Sequence, residues 1–466
     1  MHDFLQMVLS LLGQGIGLAA VAVGLTVIFL LVIFFIYRAK TKGEKAFPWK
    51  KVMVILLVVG YVAVLLYATL LRMGGVGFRG TNFHLFRAWR EAWNNYSLQN
   101  WLNVLLNVAM FVPLGFLLPC IVNWFKKWYI MLITGFGISL CIEIIQYFTG
   151  RGLFDVDDLF TNTVGAMLGY CTIQFFVFWT KKGSRKKCVP YAIYPVVFAI
   201  ALLGIFVKYE IQEYGNLPVA PAMTANVKGI EWILECELDS DVKKVPTYSI
   251  VPYNKEDADT FATEFAQKMN LSFPDAYYYD HSIIFANHST GDFLNVNFFD
   301  RSYEYDAGNV DFMLDNIEVD EETMKTLLQP YGIVIPETAE FSYDGNGYHT
   351  FTVNMEKVGD SIIDGVINCR VKDGNILEQL NNKLCTYSLY GEVEIISEET
   401  AYKQLCSGKF YGSDGIEYYK PESIKILSCM LDYRIDTKGF YQPVYVFEVD
   451  MNGEDTSEIV IPAMKL

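Results

Sequence analysis

Residues 129–179 read YIMLITGFGISLCIEIIQYFTGRGLFDVDDLFTNTVGAMLGYCTIQFFVFW. Two apolar runs, Tyr129 to Phe148 and Leu159 to Trp179, are each long enough to cross about 30 Å of hydrocarbon as a helix. Their polar residues do not scatter. Glu143 and Gln146 lie near the end of the first run, three apart and so on one helix face. Asp155, Asp157 and Asp158 lead into the second run, and Asn162 lies just inside it. At 1.5 Å rise per residue these groups share one depth to within about 8 Å. A carboxylate in the bilayer costs about 2.5–3.5 kcal/mol at the centre and less near the surface, so it faces protein groups or water. The stretch predicts paired membrane helices around a polar pocket at one membrane face.

Four further apolar stretches flank it: Gly13 to Tyr37, Val52 to Leu71, Val104 to Phe125 and Tyr191 to Val207. Together they predict a polytopic α-helical membrane protein with six transmembrane helices. Asn107, early in Val104 to Phe125, falls at the depth of Glu143. Lys and Arg gather on the cytoplasmic side of membrane proteins. Thirteen lie in one set of loops, Arg38 to Lys51, Lys126 with Lys127, and Lys181 to Lys187. The opposite loops hold five: Arg72, Arg79, Arg87, Arg90 and Arg151. A multi-pass cell-membrane protein with both termini and the pocket outside is expected. The start MHDF lacks a basic n-region, so the first span reads as retained. Gly13, Gly15 and Gly17 have no strand before them and form no nucleotide loop.

The 466 residues are 52% hydrophobic with a net charge of -15, and their mean hydropathy is +0.24. That average conceals two unlike halves: residues through Lys208 carry +12, and those from Tyr209 carry -27. A wholly water-soluble protein, a disulfide miniprotein and a basic nucleic-acid binder are excluded. The expected divisions are 1–51 (first span and basic loop), 52–180 (central membrane domain), 181–208 (basic loop and sixth span), 209–226 (linker) and 227–466.

The last division reads as an extracellular α+β domain. Its strands fall at Glu231 to Leu238, Thr247 to Pro252, Tyr277 to Ala286, Phe293 to Phe299, Tyr348 to Met355, Gly391 to Ile396, Ile424 to Asp432, Tyr441 to Val449 and Ser457 to Ala463. Helices are expected at Glu256 to Met269, Glu321 to Tyr331 and Glu398 to Cys406, the last capped by Ser397. A repeated order of strand, helix and further strands suggests two modules, each a helix on an antiparallel sheet. The histidines form no HExxH pair, there is no G-x-S-x-G elbow, and the cysteines have no zinc spacing. No metal or cofactor is expected. The five external cysteines, Cys236, Cys369, Cys385, Cys406 and Cys429, cannot all pair. The run Asp311 to Glu322 reads as solvated surface.

Asn107-Val-Ala-Met-Phe111-Val-Pro113-Leu-Gly115-Phe116, Glu143-Ile-Ile-Gln146, Arg151, Asp155-Val-Asp157-Asp158 and Asn162-Thr-Val-Gly165 with Gly169 follow one another over Val52 to Trp179. In order and spacing they resemble the VanZ-like membrane family. An upstream element of the form Asn-Leu-x-Pro-Phe is matched in part by Asn82-Phe-His-Leu-Phe86, with Leu85 where the family has proline. The resemblance implies a role in glycopeptide resistance of the teicoplanin type in the Gram-positive envelope, a process rather than a reaction.

Bland and functional readings stand side by side for these residues. Pro113 and Gly115 kink or loosen a helix, Gly165 and Gly169 allow close helix approach, and Asp155 to Asp158 can cap the following helix. Glu143 can bond to Gln146 or Asn107. The functional reading makes Asn107, Glu143, Gln146, Arg151, Asp155, Asp158 and Asn162, with Arg79, Arg87 and Arg90 nearby, a ligand-binding pocket. Its ligand would be a glycopeptide or a lipid-linked wall precursor, with membrane lipid around it. The alternatives are a membrane-embedded enzyme using Glu143 as acid or base and the pair Asp155 and Asp158 to hold substrate or metal, and an envelope sensor acting through its external domain. Phe83, Phe86, Trp89 and Trp93 are expected on an amphipathic helix lying at the membrane surface.

Overall fold

The computed structural model describes residues 20, 23–31, 33–35, 37–38, 40, 47–71, 80–279, 281–308, 317–372, 376–411, 416, 419–453 and 455–465. Among them five helices are long and apolar enough to cross a membrane: Trp49–Leu70, Leu98–Ile121, Trp128–Thr149, Val156–Thr180 and Arg185–Ile211. Their mean hydropathies run from 1.3 to 2.6. The sixth expected span, Gly13 to Tyr37, lies only in part among the described residues, of which 23–31 and 33–35 are helical. Contacts divide the chain into two units, one of residues 1–89 and 99–211, the other of 90–98 and 212–466.

In the first unit, α1 (Trp49–Leu66) continues as a π-helical turn over Tyr67–Leu71. Strand β1 (Thr81–Asn82), α2 (Arg87–Asn95), α3 (Leu98–Ile121) and α4 (Trp128–Thr149) follow, then β2 (Phe154–Asp155), α5 (Val156–Thr180) and α6 (Val189–Ile211). Residues 90–95 of α2 group with the second unit. The long helices bury little. Only Tyr209 is buried in α6, and Val197, Ile200 and Leu203 are each more than half exposed. So large an exposed apolar surface suits hydrocarbon rather than water.

Glycines set the packing of α3 on α5. A Cβ on Gly165 would lie 1.9 Å from the Val108 carbonyl oxygen, one on Gly169 2.0 Å from that of Val112, and one on Gly115 1.8 Å from that of Ala166. The small-residue reading of Gly165 and Gly169 is therefore the geometry observed, and Gly115 joins it as a contact residue. Pro113 and Pro119 lie inside α3 without ending it. At the far end Tyr170 donates to the Lys126 carbonyl at 2.7 Å. Phe111, Met131, Ala166 and Tyr170 form the dry centre between these contacts.

The second unit is built on one 14-stranded sheet. Its strands are β3 (Glu231–Leu234), β4 (Lys244–Ser249), β5 (Asp275–Tyr278), β6 (Ser282–Ala286), β7 (Phe293–Asn297), β8 (Tyr303–Asp306), β9 (Glu340–Tyr343), β10 (Tyr348–Val358), β11 (Ser361–Lys372), β12 (Ile376–Asn382), β13 (Cys385–Glu394), β14 (Ser423–Ile435), β15 (Phe440–Met451) and β16 (Asp455–Pro462). The main path runs β3-β14-β15-β4-β13-β11-β12-β8-β7-β6-β5. Pairing is antiparallel except between β3 and β14.

Two cores, rather than two sheets, correspond to the two expected modules. Helices α7 (Lys255–Met269) and α8 (Glu321–Leu328) bury Ala258, Ala262, Phe265, Met324 and Leu328 against Ile283, Leu294, Phe351 and Ile367. Helix α9 (Glu398–Cys406) buries Ala401 and Leu405 against Ile424, Ile426, Phe447 and Ile459. A smaller cluster holds Tyr248, Tyr387, Tyr433 and Tyr441, with the rings of Tyr387 and Tyr441 stacked 4.3 Å apart. The expected strand Tyr277 to Ala286 is a hairpin, in which β5 and β6 pair antiparallel. Strands β8, β9, β11 and β12 were not read from the sequence. The cap at Ser397 is present, its side chain accepting from Thr400 N. All nine cysteines lie among the described residues and none is paired. Of the charged run Asp311 to Glu322, residues 311–316 lie outside the described residues, and Asp320 caps α8.

Two predictions follow from this packing. Gly165→Ala forces the Val108 backbone away and should cost about 1–3 kcal/mol, whereas Gly137→Ala meets open space and gains helix propensity. Thermal midpoints in detergent should move in opposite directions. In the second unit His349 is fully buried on β10, its Nε2 accepts from Val319 N at 2.9 Å, and burial holds its pKa below the ordinary 6.5. The unfolded chain thus takes up the proton first, so this contribution is full above the unfolded pKa and is lost as pH falls through the folded one. Hydrogen exchange in residues 348–353 should quicken as pH drops below about 6.5, after correction for intrinsic rates. In His349→Gln that added acceleration should disappear.

Candidate functional site

The polar cluster of the first unit is assembled from the ends of α3, α4 and α5 and from the segment before α2. Asp155 is the N-cap of α5, its Oδ1 accepting from Asp157 N at 2.8 Å. The same Oδ1 accepts from Asn82 Nδ2 at 3.0 Å, and β1 pairs in parallel with β2, so Asn82 lies opposite Asp155. Within the first turn of the helix, Asp157 points back. Its Oδ1 accepts from Phe86 N and its Oδ2 from Ala88 N, the latter at 2.7 Å. Phe86 takes a left-handed conformation, with φ 67°. That conformation is costly for a bulky residue and is held here by the carboxylate.

On the neighbouring face, Asp158 accepts a hydrogen bond from Asn107 Nδ2 of α3. Glu143 of α4 is 1% exposed, and its Oε2 accepts from Asp155 N at 2.9 Å. Ser139, one turn earlier on α4, accepts from Asn162 Nδ2 at 3.0 Å. Asn162 is 3% exposed, and its Oδ1 has no donor among the described residues.

The structure thus joins five of the expected residues, Asn107, Glu143, Asp155, Asp158 and Asn162, in one cluster. Others go elsewhere. The structural alternative for Glu143, a bond to Gln146 or Asn107, is not the arrangement found: Gln146 Nε2 donates to the Thr69 carbonyl at 2.9 Å and Asn107 is engaged by Asp158. Arg151 is exposed and donates to the Leu70 carbonyl, at the C-terminal end of the turn that follows α1. Both residues donate to carbonyls of the turn that follows α1. Arg87 opens α2, its backbone N donating to the His84 carbonyl. Arg90 donates to the Ala222 carbonyl within the second unit, and Asn94 of the same helix donates to that of Ala220. The surface helix is therefore short, and residues 82–86 are a strap rather than its first turn. Arg79 lies outside the described residues.

Asn82, Ser139 and Asp157 belong to the cluster although the sequence reading did not select them as site residues. Asn82 and Asp157 stood inside recognised motifs, and only their partners were missing. Ser139 lies one turn before Glu143, a spacing that could have flagged it.

Among the described residues no group of three or more His, Cys, Asp or Glu side chains is arranged to hold a metal. The carboxylates instead face amide and backbone N–H donors. This is a membrane domain whose helix ends enclose an acidic, amide-rich cluster. The VanZ/LLP1 family model matches residues 25–178, which contain every member of that cluster. Those residues form a VanZ-like membrane domain, and the chain carries an additional C-terminal β-rich domain.

Protein VanZ of Enterococcus faecium is 29% identical over 110 residues. That match covers 23% of this chain and 64% of the relative, so the chain spans a little under two thirds of the relative's length. Among solved structures, an uncharacterized protein from Eubacterium rectale aligns with 50% of this chain and 87% of its own, at 11% identity and a TM-score of 0.26.

The bonds to Asp157 make a local prediction. Asp157→Ala leaves the N–H groups of Phe86 and Ala88 without their acceptor, at about 1–3 kcal/mol for each that stays buried and unpaired. Hydrogen exchange should rise by one to several orders of magnitude in residues 84–90, with little change in the centre of α4. Unchanged protection at 84–90 would show that the strap is held by something else.

Proposed function

We propose that the protein contributes to glycopeptide resistance of the teicoplanin type, and that its polar cluster recognises an envelope or lipid-linked ligand from the outer face of the cell membrane. The observation that carries this reading is the convergence of Asn107, Glu143, Asp155, Asp158 and Asn162. These residues carry the VanZ-like resemblance, and hydrogen bonds among three different helices, direct for Asn107–Asp158 and Glu143–Asp155 and through Ser139 for Asn162, bring them together. A capping role accounts for Asp155 but not for a 1%-exposed Glu143 on another helix.

The cluster is rich in acceptors. Its carboxylates, with the unspent Asn162 Oδ1, suit a ligand that presents amide N–H, ammonium or hydroxyl donors. Sugar and peptide portions of a glycopeptide or of a lipid-linked wall precursor carry such groups. Arg151, exposed at the same end, supplies a cation for a carboxylate or phosphate.

The outward orientation rests on the basic loops. Lys126, Lys127 and Lys181 to Lys187 stand at helix ends opposite the acidic cluster, which supports the reading that the cluster faces outward and that the C-terminal domain lies on the outer side. In that position the acidic domain would bind or regulate at the cell wall.

The test is teicoplanin susceptibility of a sensitive Gram-positive host carrying equal membrane amounts of wild type, Glu143→Ala or Asp158→Asn, against empty vector. Wild type should raise the inhibitory concentration and Glu143→Ala should return it to the vector value. Full protection by both variants would remove the cluster from the function. No protection by wild type would remove the resistance reading itself.

A further inference from the structure

A cleft of about 640 Å³ opens in the β-rich domain, where the segment after α8 meets the ends of β10 and β12 and the starts of β11 and β13. That size lies in the range of small-ligand sites. Its wall is mixed: Val358, Ile363 and Leu384 are apolar, and Glu337, Thr338 and Glu356 are polar. Glu337 is exposed and Glu356 half-buried, so a ligand can reach both carboxylates.

Glu356 owes its place to a bulge. His349, Phe351 and Val353 are buried on one face of β10, and strict alternation would bring Met355 to that face next. Between Val353 and Glu356, however, the pairing with β11 slips. Asn354 and Met355 stand against the single Asp364, and Met355 takes a left-handed φ of 44° while its N–H donates to Asp364 Oδ1 at 3.0 Å. Glu356 therefore takes the position that alternation assigns to Met355, paired with Ile363. Bulges re-aim side chains in this way, and a left-handed non-glycine residue persists only where its surroundings hold it. Thr338 Oγ1 donates to Glu356 Oε2, which orients the carboxylate and brings the adjacent Glu337 to the same wall.

Neither carboxylate forms an ion pair with Lys, Arg or His among the described residues, and no cation is part of the wall. Lys325, within electrostatic reach of Glu337, bonds Glu321 at 2.7 Å. Lys268 comes near Gly332, its Nζ 3.8 Å from the position of a Cβ there, and does not line the cleft. Two carboxylates on one wall repel an anion, and a wholly apolar ligand would strip them of water without replacing its hydrogen bonds. The residues from Tyr209 onward carry -27, so the surrounding field also favours a cation.

We propose that the cleft binds a primary ammonium group on an apolar stem, the ammonium received by Glu337 and Glu356 and the stem lying on Val358, Ile363 and Leu384. A lysine-type side chain of a peptide and a free alkylamine share this chemistry. The stem packs while the head keeps charge-assisted hydrogen bonds to carboxylate oxygens. This gives a ligand class to the domain that the reading above sets at the cell wall. It rests on that reading only for where the amine is met, because binding is measured on the purified chain and resistance on whole cells.

Saturation-transfer NMR on the full chain in detergent micelles, with empty micelles as blank, tests it with Nα-acetyl-lysine methylamide and pentylamine. The methylene protons beside the ammonium should give a signal that titrates with a dissociation constant on the order of 1 mM. Glu337→Gln and Glu356→Gln, both isosteric, should each weaken binding about two- to tenfold, and the double variant should abolish it. Val358→Trp, at a half-exposed position, fills the cleft with both carboxylates in place and should also abolish it. Glu458→Gln removes an equal charge from β16 and should change nothing, which separates the cleft from the general field. Equal binding of the two probes assigns the site to the alkylamine itself, and tighter binding of the lysine amide assigns it to a peptide side chain. The neutral Nα,Nε-diacetyl-lysine methylamide should give no signal. The assignment is overturned by absence of signal from wild type, by equal signal from the neutral probe, by unchanged binding in the double variant, or by an equal loss in Glu458→Gln. A neutral sugar such as N-acetylglucosamine that binds more tightly than either amine would overturn it as well.

Discussion

A carboxylate that is 1% exposed inside a membrane domain must accept hydrogen bonds from the protein, and the position of Asp157 makes the backbone of Phe86 and Ala88 supply them. Much of the first unit follows from that demand. The chain between β1 and α2 must come close to the start of α5, so Asn82 reaches Asp155 and a two-residue parallel pairing forms between segments 73 residues apart. Phe86 is left in a conformation it would not choose alone. The strap then lays Phe86 and Trp89 along α5 and α6, and an apolar slot exists because a polar demand was met beside it.

A second constraint is distance. Asn107 reaches Asp158 only because α3 and α5 approach until Gly165 and Gly169 touch the backbone carbonyls of Val108 and Val112. Without a hydrophobic drive for apolar side chains to leave lipid for one another, membrane helices associate through such close backbone contact and through hydrogen bonds between them. Here the two occur on the same face of α5, since Asp158, Asn162, Gly165 and Gly169 recur at helical spacing. The glycines are in this sense part of the polar cluster, fixing the separation at which its hydrogen bonds close.

The sequence made the cluster legible because polar residues in an apolar run are rare and their depth follows from counting. Asn107, Glu143, Asp155, Asp158 and Asn162 were found that way. The count cannot say which neighbour each group bonds. Gln146 lies one turn from Glu143, yet it turns to the carbonyl of Thr69, in the π-helical turn that follows α1. Arg151, expected to meet a ligand, donates to Leu70 in the same turn. Both bonds depend on the course of the chain some 77 to 81 residues away.

In the β-rich domain local signals held where they were strong: the helix Glu398–Cys406 was read to the residue from Ser397 and its periodicity. They failed at β11 and β12. The first, SIIDGVINCRVK, interrupts its alternation with Gly365, whose φ is 126° and whose missing Cβ would lie 2.1 Å from the Lys383 carbonyl oxygen. A strand that bends to admit another backbone breaks the period by which strands are read.

The balance of donors and acceptors in the cluster argues against two simple accounts of it. A purely structural cluster would be closed, but the Asn162 Oδ1 is buried with no donor among the described residues, and a buried acceptor left unmet is costly. A metal site would gather carboxylate oxygens on one point, whereas the oxygens of Asp155, Asp157 and Asp158 turn to Asn82, to the strap and to Asn107 in three different directions. Each carboxylate holds a different segment of chain, and Glu143 ties α4 to the backbone where those segments meet. A ligand that offers a hydrogen-bond donor at Asn162 would complete the set. It would then be felt at once by α3, α4, α5 and the strap, which is the physical basis for expecting recognition and conformational response to occur at one place.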